Sequence, residues 1–211
     1  MISSHSITGM VLAGGRGSRM GGVDKGLQPF LGQPLALHAL QRLQPQVGQC
    51  MINANRSLPQ YLHWGVPVHP DVLPDYPGPL AGFLTGLRHC STEWLVTVPC
   101  DSPRFAHDLV ARMAATAQQT QAHIVLAAGP EVGRDGLLQV RPQPVFALLH
   151  HSLLPSLQQF VTAGGRKIDA WTALHRQALC HFDGPHDDPQ AFANANTLQE
   201  LRQLEGSRPG D

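Results

Sequence analysis

Charged residues are scarce in this 211-residue chain: Asp, Glu, Lys and Arg together make up 14% of it, and 15 basic residues balance 15 acidic ones. A chain without net charge lacks the broad basic surface on which sequence-independent nucleic-acid binding depends. It can still hold one triphosphate, which needs only a few well-placed cations. Cysteine is scarce too. Cys50, Cys90, Cys100 and Cys180 are scattered and form no C-x-x-C pair, so neither a zinc site nor a disulfide framework is supported. Free, mostly buried thiols in a reducing compartment are expected. Long apolar runs are missing. Met10-Val11-Leu12-Ala13 stops at two glycines, far short of the roughly 20 residues that cross a bilayer. The first seven residues lack the basic start and apolar stretch of a secretion signal. These absences predict a cytoplasmic protein with no membrane or nucleic-acid partner.

What is present is an alternation of short β-type runs and helix-type segments. Ile7 to Ala13, Cys50 to Asn53, Val66 to Val68, Trp94 to Val98, His123 to Ala127, Val145 to Leu149 and Leu179 to Phe182 read as strands. Pro67 marks an edge or a strand end. Between them, a helix opened by Pro34 carries Leu37, Leu40 and Leu43 at core spacing. Leu80 to His89, His107 to Gln119 and Ser152 to Val161 also read as helices. Thr197-Leu198-Gln199-Glu200 reads as a capping box opening a last helix. Repeated β-α-β units imply one α/β domain over residues 1–205, Rossmann-like and three-layered, with a mostly parallel central sheet. Residues 206–211 are expected to fray as a tail.

Ligands of such sheets bind beyond the carboxyl ends of the strands. Gly14-Gly15, Asn53, Asp71 and Asp101 each directly follow a strand, so four strand ends point to one edge. The densest of these features is the loop Gly14 to Lys25, with five glycines around Arg19 and Lys25. Glycines let backbone N–H groups approach an anion closely. Arg19 can fork onto phosphate oxygens and Lys25 acts as a compact charge. The G-K-[ST] of a Walker A loop is absent. Gly15-x-Gly17-x-x-x-Gly21 nearly matches a dinucleotide-binding fingerprint, but the second strand ends in Asn53-Ala54-Asn55-Arg56 rather than in the acidic residue that binds a ribose.

Asp101, at the end of Pro99-Cys100-Asp101, suits a Mg²⁺ ion, which prefers hard oxygen ligands and keeps several waters; Mn²⁺ is the alternative ion. The competing use of Asp101 is to cap the turn before Pro103. Asn53 can bond a base or a ribose, or satisfy a strand end. Asn194 and Asn196, two apart, share one side of an extended segment. His150-His151 and His186-Asp187-Asp188 read as solvated surface rather than metal ligands. Ser18 has no His/Asp partner by motif, so serine nucleophile chemistry is not supported.

Taken in order, Leu12-Ala13-Gly14-Gly15, Arg19-Met20-Gly21-Gly22, Asp24-Lys25-Gly26, Gly32-x-Pro34-Leu35, Asn53-Ala54-Asn55-Arg56, Asp71, Asp75 to Gly82, Pro99 to Pro103 and Phe192-x-Asn194-x-Asn196-Thr197 resemble the molybdenum cofactor guanylyltransferases. The resemblance runs along nearly the whole chain. It implies the nucleotide-diphospho-sugar transferase type of fold. It also implies transfer of GMP from GTP to the terminal phosphate of molybdopterin, with pyrophosphate released. On that resemblance Leu12, Ala13, Gly14, Gly15, Lys25, Asn53, Asp71, Gly78, Gly82 and Asp101 bind GTP. Asp101 also binds Mg²⁺, and Arg19 and Lys25 join it in catalysis. Asp71 then either accepts from a guanine edge or caps its proline-rich loop. Gln143, Arg166, Lys167, Asn194 and Asn196 are the residues implied for molybdopterin. The chain departs from the family pattern at Gln28-Pro29, where relatives carry apolar residues, and at Gln143 and Val145, which replace His and Thr. Proteins that supply and receive the cofactor are implied as transient partners. The rival readings are a CTP-dependent enzyme acting on the same cofactor, a sugar-phosphate nucleotidyltransferase, and a non-catalytic nucleotide-binding module. Asn194 and Asn196 favour guanine over cytosine, and Arg19, Lys25 and Asp101 together favour catalysis.

Overall fold

The computed structural model describes residues 1–14, 23–73, 78–133, 137–195 and 198–206. A seven-stranded sheet runs through them. Its strands are β1 (Ile7–Leu12), β4 (Gln49–Asn53), β5 (Val68–His69), β6 (Trp94–Pro99), β7 (Ile124–Val132), β8 (Leu138–His150) and β9 (Gln177–His181), in the order β5-β4-β1-β6-β8-β7-β9. A separate hairpin pairs β2 (Pro29–Phe30) with β3 (Gln33–Pro34). Only β8 runs against its sheet neighbours β6 and β7; the β5-β4-β1-β6 half and the β7-β9 pair are parallel. The sheet is therefore mostly parallel, as expected.

The central strands are apolar on both faces, because helices cover both. Val11 of β1 and Val96 of β6 join one core with Ala36, Ala39, Leu40 and Leu43 of α1 (Leu35–Leu43) and Leu109, Val110, Met113 and Ala117 of α4 (Leu109–Thr120). Met10 and Leu95 point the other way, into a second core with Leu80, Phe83, Leu84 and Leu87 of α3 (Pro79–His89) and Leu157 and Val161 of α5 (Leu154–Thr162). Each fully buried Val, Leu, Phe or Met side chain among these contributes about 1.5–3 kcal/mol. A third, small cluster joins Phe30 and Leu35 to Ala195 and to Leu201 and Leu204 of α7 (Leu198–Gly206), closing the C-terminal segment over the β2-β3 hairpin. Thr197 and residues 207–211 lie outside the described residues.

Several boundaries differ from expectation. Pro34 is the residue before α1 rather than its first turn, and the buried stripe is Leu35, Ala36, Ala39, Leu40 and Leu43, with Leu37 half-buried. The third strand is Val68–His69; Pro67 lies before it, its carbonyl accepting from Ile52 N at 2.9 Å. The fourth helix starts at Leu109 rather than His107. The largest difference is β8, which begins at Leu138, seven residues before the expected Val145. Beyond the irregularity at Leu126/Ala127, the outer parts of β7 and β8 pair with each other as a ribbon, Ala127↔Gln143 to Val132↔Leu138. Two five-residue helices, α2 (Leu58–Leu62) and α6 (Ile168–Thr172), were not expected. The four cysteines are free, and all but Cys50 are buried. Among the described residues no helix is long and apolar enough to cross a membrane.

Candidate active site

Three parallel strands deliver their last residues side by side. In the register of β1 with its neighbours, Leu12 faces Asn53 of β4 on one side and Pro99 of β6 on the other. The ladder continues one step past the strands: Ala13 N donates to Asn53 O at 2.8 Å and Cys100 N donates to Leu12 O at 3.1 Å. Gly14, Asn53 and Asp101 are thus placed at one carboxyl edge by backbone pairing alone. Asp71 arrives two residues after β5, the strand outside β4.

At this edge Lys25 Nζ donates to Asp101 Oδ2 at 2.6 Å, with the two side chains 20% and 21% exposed. The pair joins the end of the glycine-rich segment to the end of β6. The pair holds the two side chains near one another while leaving each partly accessible to a ligand. Among the described residues the Oδ1 oxygen of Asp101 has no hydrogen-bond partner. Beneath it, burial pushes the Cys100 thiol well above its ordinary pKa, as does the negative charge of Asp101 beside it. That thiol, packed in the core below the sheet edge, is therefore unreactive.

A second set of bonds organises the other side. Asn53, 3% exposed, donates through Nδ2 to Asp71 Oδ1 at 2.9 Å and to His69 O at 3.1 Å. Asn55 donates through Nδ2 to Asp71 Oδ2 at 2.7 Å and to Gly14 O at 3.0 Å, and its Oδ1 accepts from Asp71 N at 2.7 Å. Asp71 is held here by two asparagines, with both carboxylate oxygens engaged. In the sequence only the i+2 spacing from Asn53, just after a strand, marks Asn55.

Gly82 lies under this set rather than in the open. A Cβ there would stand 2.6 Å from Leu12 Cδ2 and 2.9 Å from Asn53 Oδ1, so the absence of a side chain lets α3 pack onto the ends of β1 and β4. Gly78 precedes α3 with φ 129°, a value that favours glycine, and has no atom within 4 Å of where a Cβ would be. Gly15, Arg19 and Asn196 lie outside the described residues.

The residues implied for the second substrate lie on separate elements. Gln143 is on the outer ribbon, where Nε2 donates to Glu131 Oε2 at 3.3 Å. Arg166 and Lys167 lie between α5 and α6, with Lys167 as the residue that precedes α6. Asn194 is close to the edge: its Oδ1 accepts from the buried Ser102 hydroxyl, and Ala195 N donates to Asp101 O at 3.0 Å. The C-terminal segment therefore braces the backbone that carries Asp101. Away from the site, Asp187 is not simply solvated. It takes Arg112 Nη1 at 2.5 Å and Nη2 at 3.1 Å, and this pairing lowers its pKa. His150 is half-buried against Trp94 and His123.

Among the described residues no group of three or more His, Cys, Asp or Glu side chains could enclose a metal ion. Asp101 is a single carboxylate with one engaged oxygen. Such a donor set fits a hard divalent cation that draws its remaining oxygens from a bound triphosphate and water.

Residues 9–179 match the family model described as the MobA-like NTP transferase domain. A curated protein of Albidiferax ferrireducens named molybdenum cofactor guanylyltransferase is 63% identical over 209 residues, covering 98% of this chain and 99% of that protein. Another of the same name, from Acidovorax sp. (strain JS42), is 64% identical over 207 residues, covering 98% of each. The crystal structure of molybdopterin-guanine dinucleotide biosynthesis protein A from Archaeoglobus fulgidus has the same fold, with a TM-score of 0.73 at 19% identity, over 94% of this chain and 96% of that one. The chain belongs to the MobA-like NTP transferase family and, within it, to the molybdenum cofactor guanylyltransferases.

Proposed function

We propose that this chain transfers GMP from GTP to the terminal phosphate of molybdopterin, releasing pyrophosphate and forming the guanine dinucleotide cofactor. The observation that carries the reading is the Lys25–Asp101 pair, closed at 2.6 Å on the sheet edge where Gly14 also emerges. It puts a phosphate-seeking cation and a metal-seeking carboxylate at one point. In the reaction an oxygen of the molybdopterin phosphate attacks the α-phosphorus of GTP, and the bond from that phosphorus to the β-phosphate oxygen breaks. The attacking phosphate is already ionised near pH 7, since its second pKa is about 6, so no general base is required. Catalysis then rests on positioning and on neutralising charge.

Lys25 supplies a fixed positive charge to the β- and γ-phosphates that leave as pyrophosphate, and Arg19 is assigned the same task. Gly14 and Gly15 offer backbone close to the phosphates, and Leu12 and Ala13 form the floor. Asn53, Asp71, Gly78 and Gly82 form the nucleoside side, with Asp71 pre-set by Asn53 and Asn55. Asp101 would hold Mg²⁺, or Mn²⁺ in its place, and the bound ion supplies charge neutralisation between the two anionic reactants. Gln143, Arg166, Lys167, Asn194 and Asn196 are assigned to molybdopterin. A cytoplasmic location, and transient contact with the proteins that supply and receive the cofactor, complete the proposal.

Calorimetric titration of the protein with GTP, CTP and ATP in the presence of Mg²⁺, followed by turnover with molybdopterin, tests it. GTP is expected to bind tightest and to be consumed with release of pyrophosphate. Tighter binding of CTP would overturn the guanylyl assignment.

A further inference from the structure

Lys25 meets Asp101 at 2.6 Å only if the backbone on either side of it is held in place. Lys25 opens a three-residue 3-10 turn, Lys25–Leu27, and the residue before that turn is Asp24. Asp24 is a carboxylate with only 8% of its surface exposed. Its Oδ1 accepts from Gly26 N at 3.2 Å, capping the turn, and its own carbonyl accepts from Leu27 N at 3.2 Å. The same Oδ1 receives the hydroxyl of Tyr61 at 2.7 Å. Tyr61 comes from α2 and is fully buried, its ring edge-on to Trp64. The hydroxyl is packed tightly against the turn: a Cβ on Gly26 would stand 2.4 Å from it. Burial and the hydrogen bond to Asp24 push the phenol above its ordinary pKa, so it keeps its proton and remains a donor. On the far side, Arg56 Nε lies 3.9 Å from Asp24 Oδ2.

We propose that Tyr61 is a positioning residue for nucleotidyl transfer: its hydroxyl anchors Asp24, and Asp24 fixes the turn that sets Lys25 against Asp101. A buried carboxylate at the base of a glycine-rich segment needs a rigid donor to define where it sits, because neighbouring glycines impose little conformation. A tyrosine hydroxyl on a packed ring supplies that donor. The inference rests on the reading that Lys25 serves the triphosphate.

Lys25→Ala is measured first. A wild-type kcat/KM for GTP in that variant would remove the reading of Lys25, and the role of Tyr61 with it. With Lys25→Ala slow, Tyr61→Phe deletes one hydroxyl and keeps the ring. It is expected to lower kcat/KM by roughly 10- to 100-fold at temperatures well below its melting point, the scale of a small misplacement of a catalytic group. The double variant is expected to match Lys25→Ala alone to within about a factor of 2, because a residue acting through Lys25 has nothing left to position. Wild-type kcat/KM in Tyr61→Phe, or losses that multiply in the double variant, would overturn the positioning role while leaving the reading of Lys25 intact. Gly26→Ala approaches the same contact from the other side and must displace the hydroxyl. It is expected to reduce kcat/KM over the same range, and a folded Gly26→Ala protein with wild-type kcat/KM would equally overturn the proposal.

Discussion

Replacing Asn53 by aspartate changes one NH₂ group into an oxygen, with almost no change in shape. Its consequences follow from two contacts. The new oxygen would stand 2.9 Å from Asp71 Oδ1 and 3.1 Å from His69 O, where a donor now sits. With charge centres roughly 4 Å apart, two carboxylates repel by about 4 kcal/mol at an effective dielectric of about 20. The folded chain can avoid this by keeping one proton, which for a group of ordinary pKa near 4 costs about 4 kcal/mol at pH 7. Both routes give the same loss. Because two carboxylates so close cannot both ionise, one folded-state pKa is raised above its unfolded value. The folded variant then holds a proton that the unfolded chain has released, so the loss shrinks as pH falls, by about 1.4 kcal/mol per unit until the unfolded carboxyl also titrates. Urea unfolding of Asn53→Asp and the parent protein from pH 8 to pH 4.5 measures the difference. A loss that does not vary with pH, or one below about 1 kcal/mol at pH 7, would refute the Asn53–Asp71 bond as the organiser of this side of the site.

Other perturbations have separate outcomes. Lys25→Ala should weaken GTP binding by about 1.5–3 kcal/mol, the value of a hydrogen bond to a charged group, read by calorimetry; equal affinity would show that this lysine does not touch the triphosphate. Gly82→Ala places a methyl 2.6 Å from Leu12 Cδ2 and should destabilise by about 1–3 kcal/mol through overpacking, while also weakening GTP binding because Asn53 must shift. Unchanged melting and binding would count against close packing at that point. Asp187→Ala removes a carboxylate whose pKa is held low first by the Arg112 hydrogen bonds. The stability it contributes, about 1–3 kcal/mol, is fully present above the ordinary carboxylate range and is lost as pH falls through and below it. The melting difference from the parent protein should therefore be large at pH 7 and shrink as pH falls below the ordinary carboxylate range, through the depressed folded-state pKa.

The edge that carries the site was legible because its cause is local. Apolar runs buried on both faces, such as Ile7 to Leu12 and Trp94 to Val98, can be read without knowing their neighbours, and parallel pairing then aligns their ends. The outer half of β8 was hidden for the opposite reason. Leu138 to Pro142 is exposed and interrupted by Pro142. Its partner is β7 alone, so no core imposes a period on it, and a proline is tolerated on such a margin. The helices α2 and α6, each of five residues, are too short to show helical periodicity. That concealed Tyr61, whose link to Asp24 crosses 37 residues of sequence. Asn55 was visible as part of a motif, but its hydrogen bonds to Asp71 and Gly14 depend on how β5 is placed beside β4.

The central claim is that Asp101 and Lys25 act together on a metal-bound triphosphate. Single-turnover transfer of GMP from GTP to molybdopterin by Asp101→Ala, over a Mg²⁺ titration and with melting followed in parallel, tests it most directly. The account predicts an intact fold with loss of Mg²⁺-dependent transfer by roughly 100-fold or more, the scale of removing a group that neutralises charge in the transition state. Transfer at the parent rate with the parent Mg²⁺ dependence would contradict it.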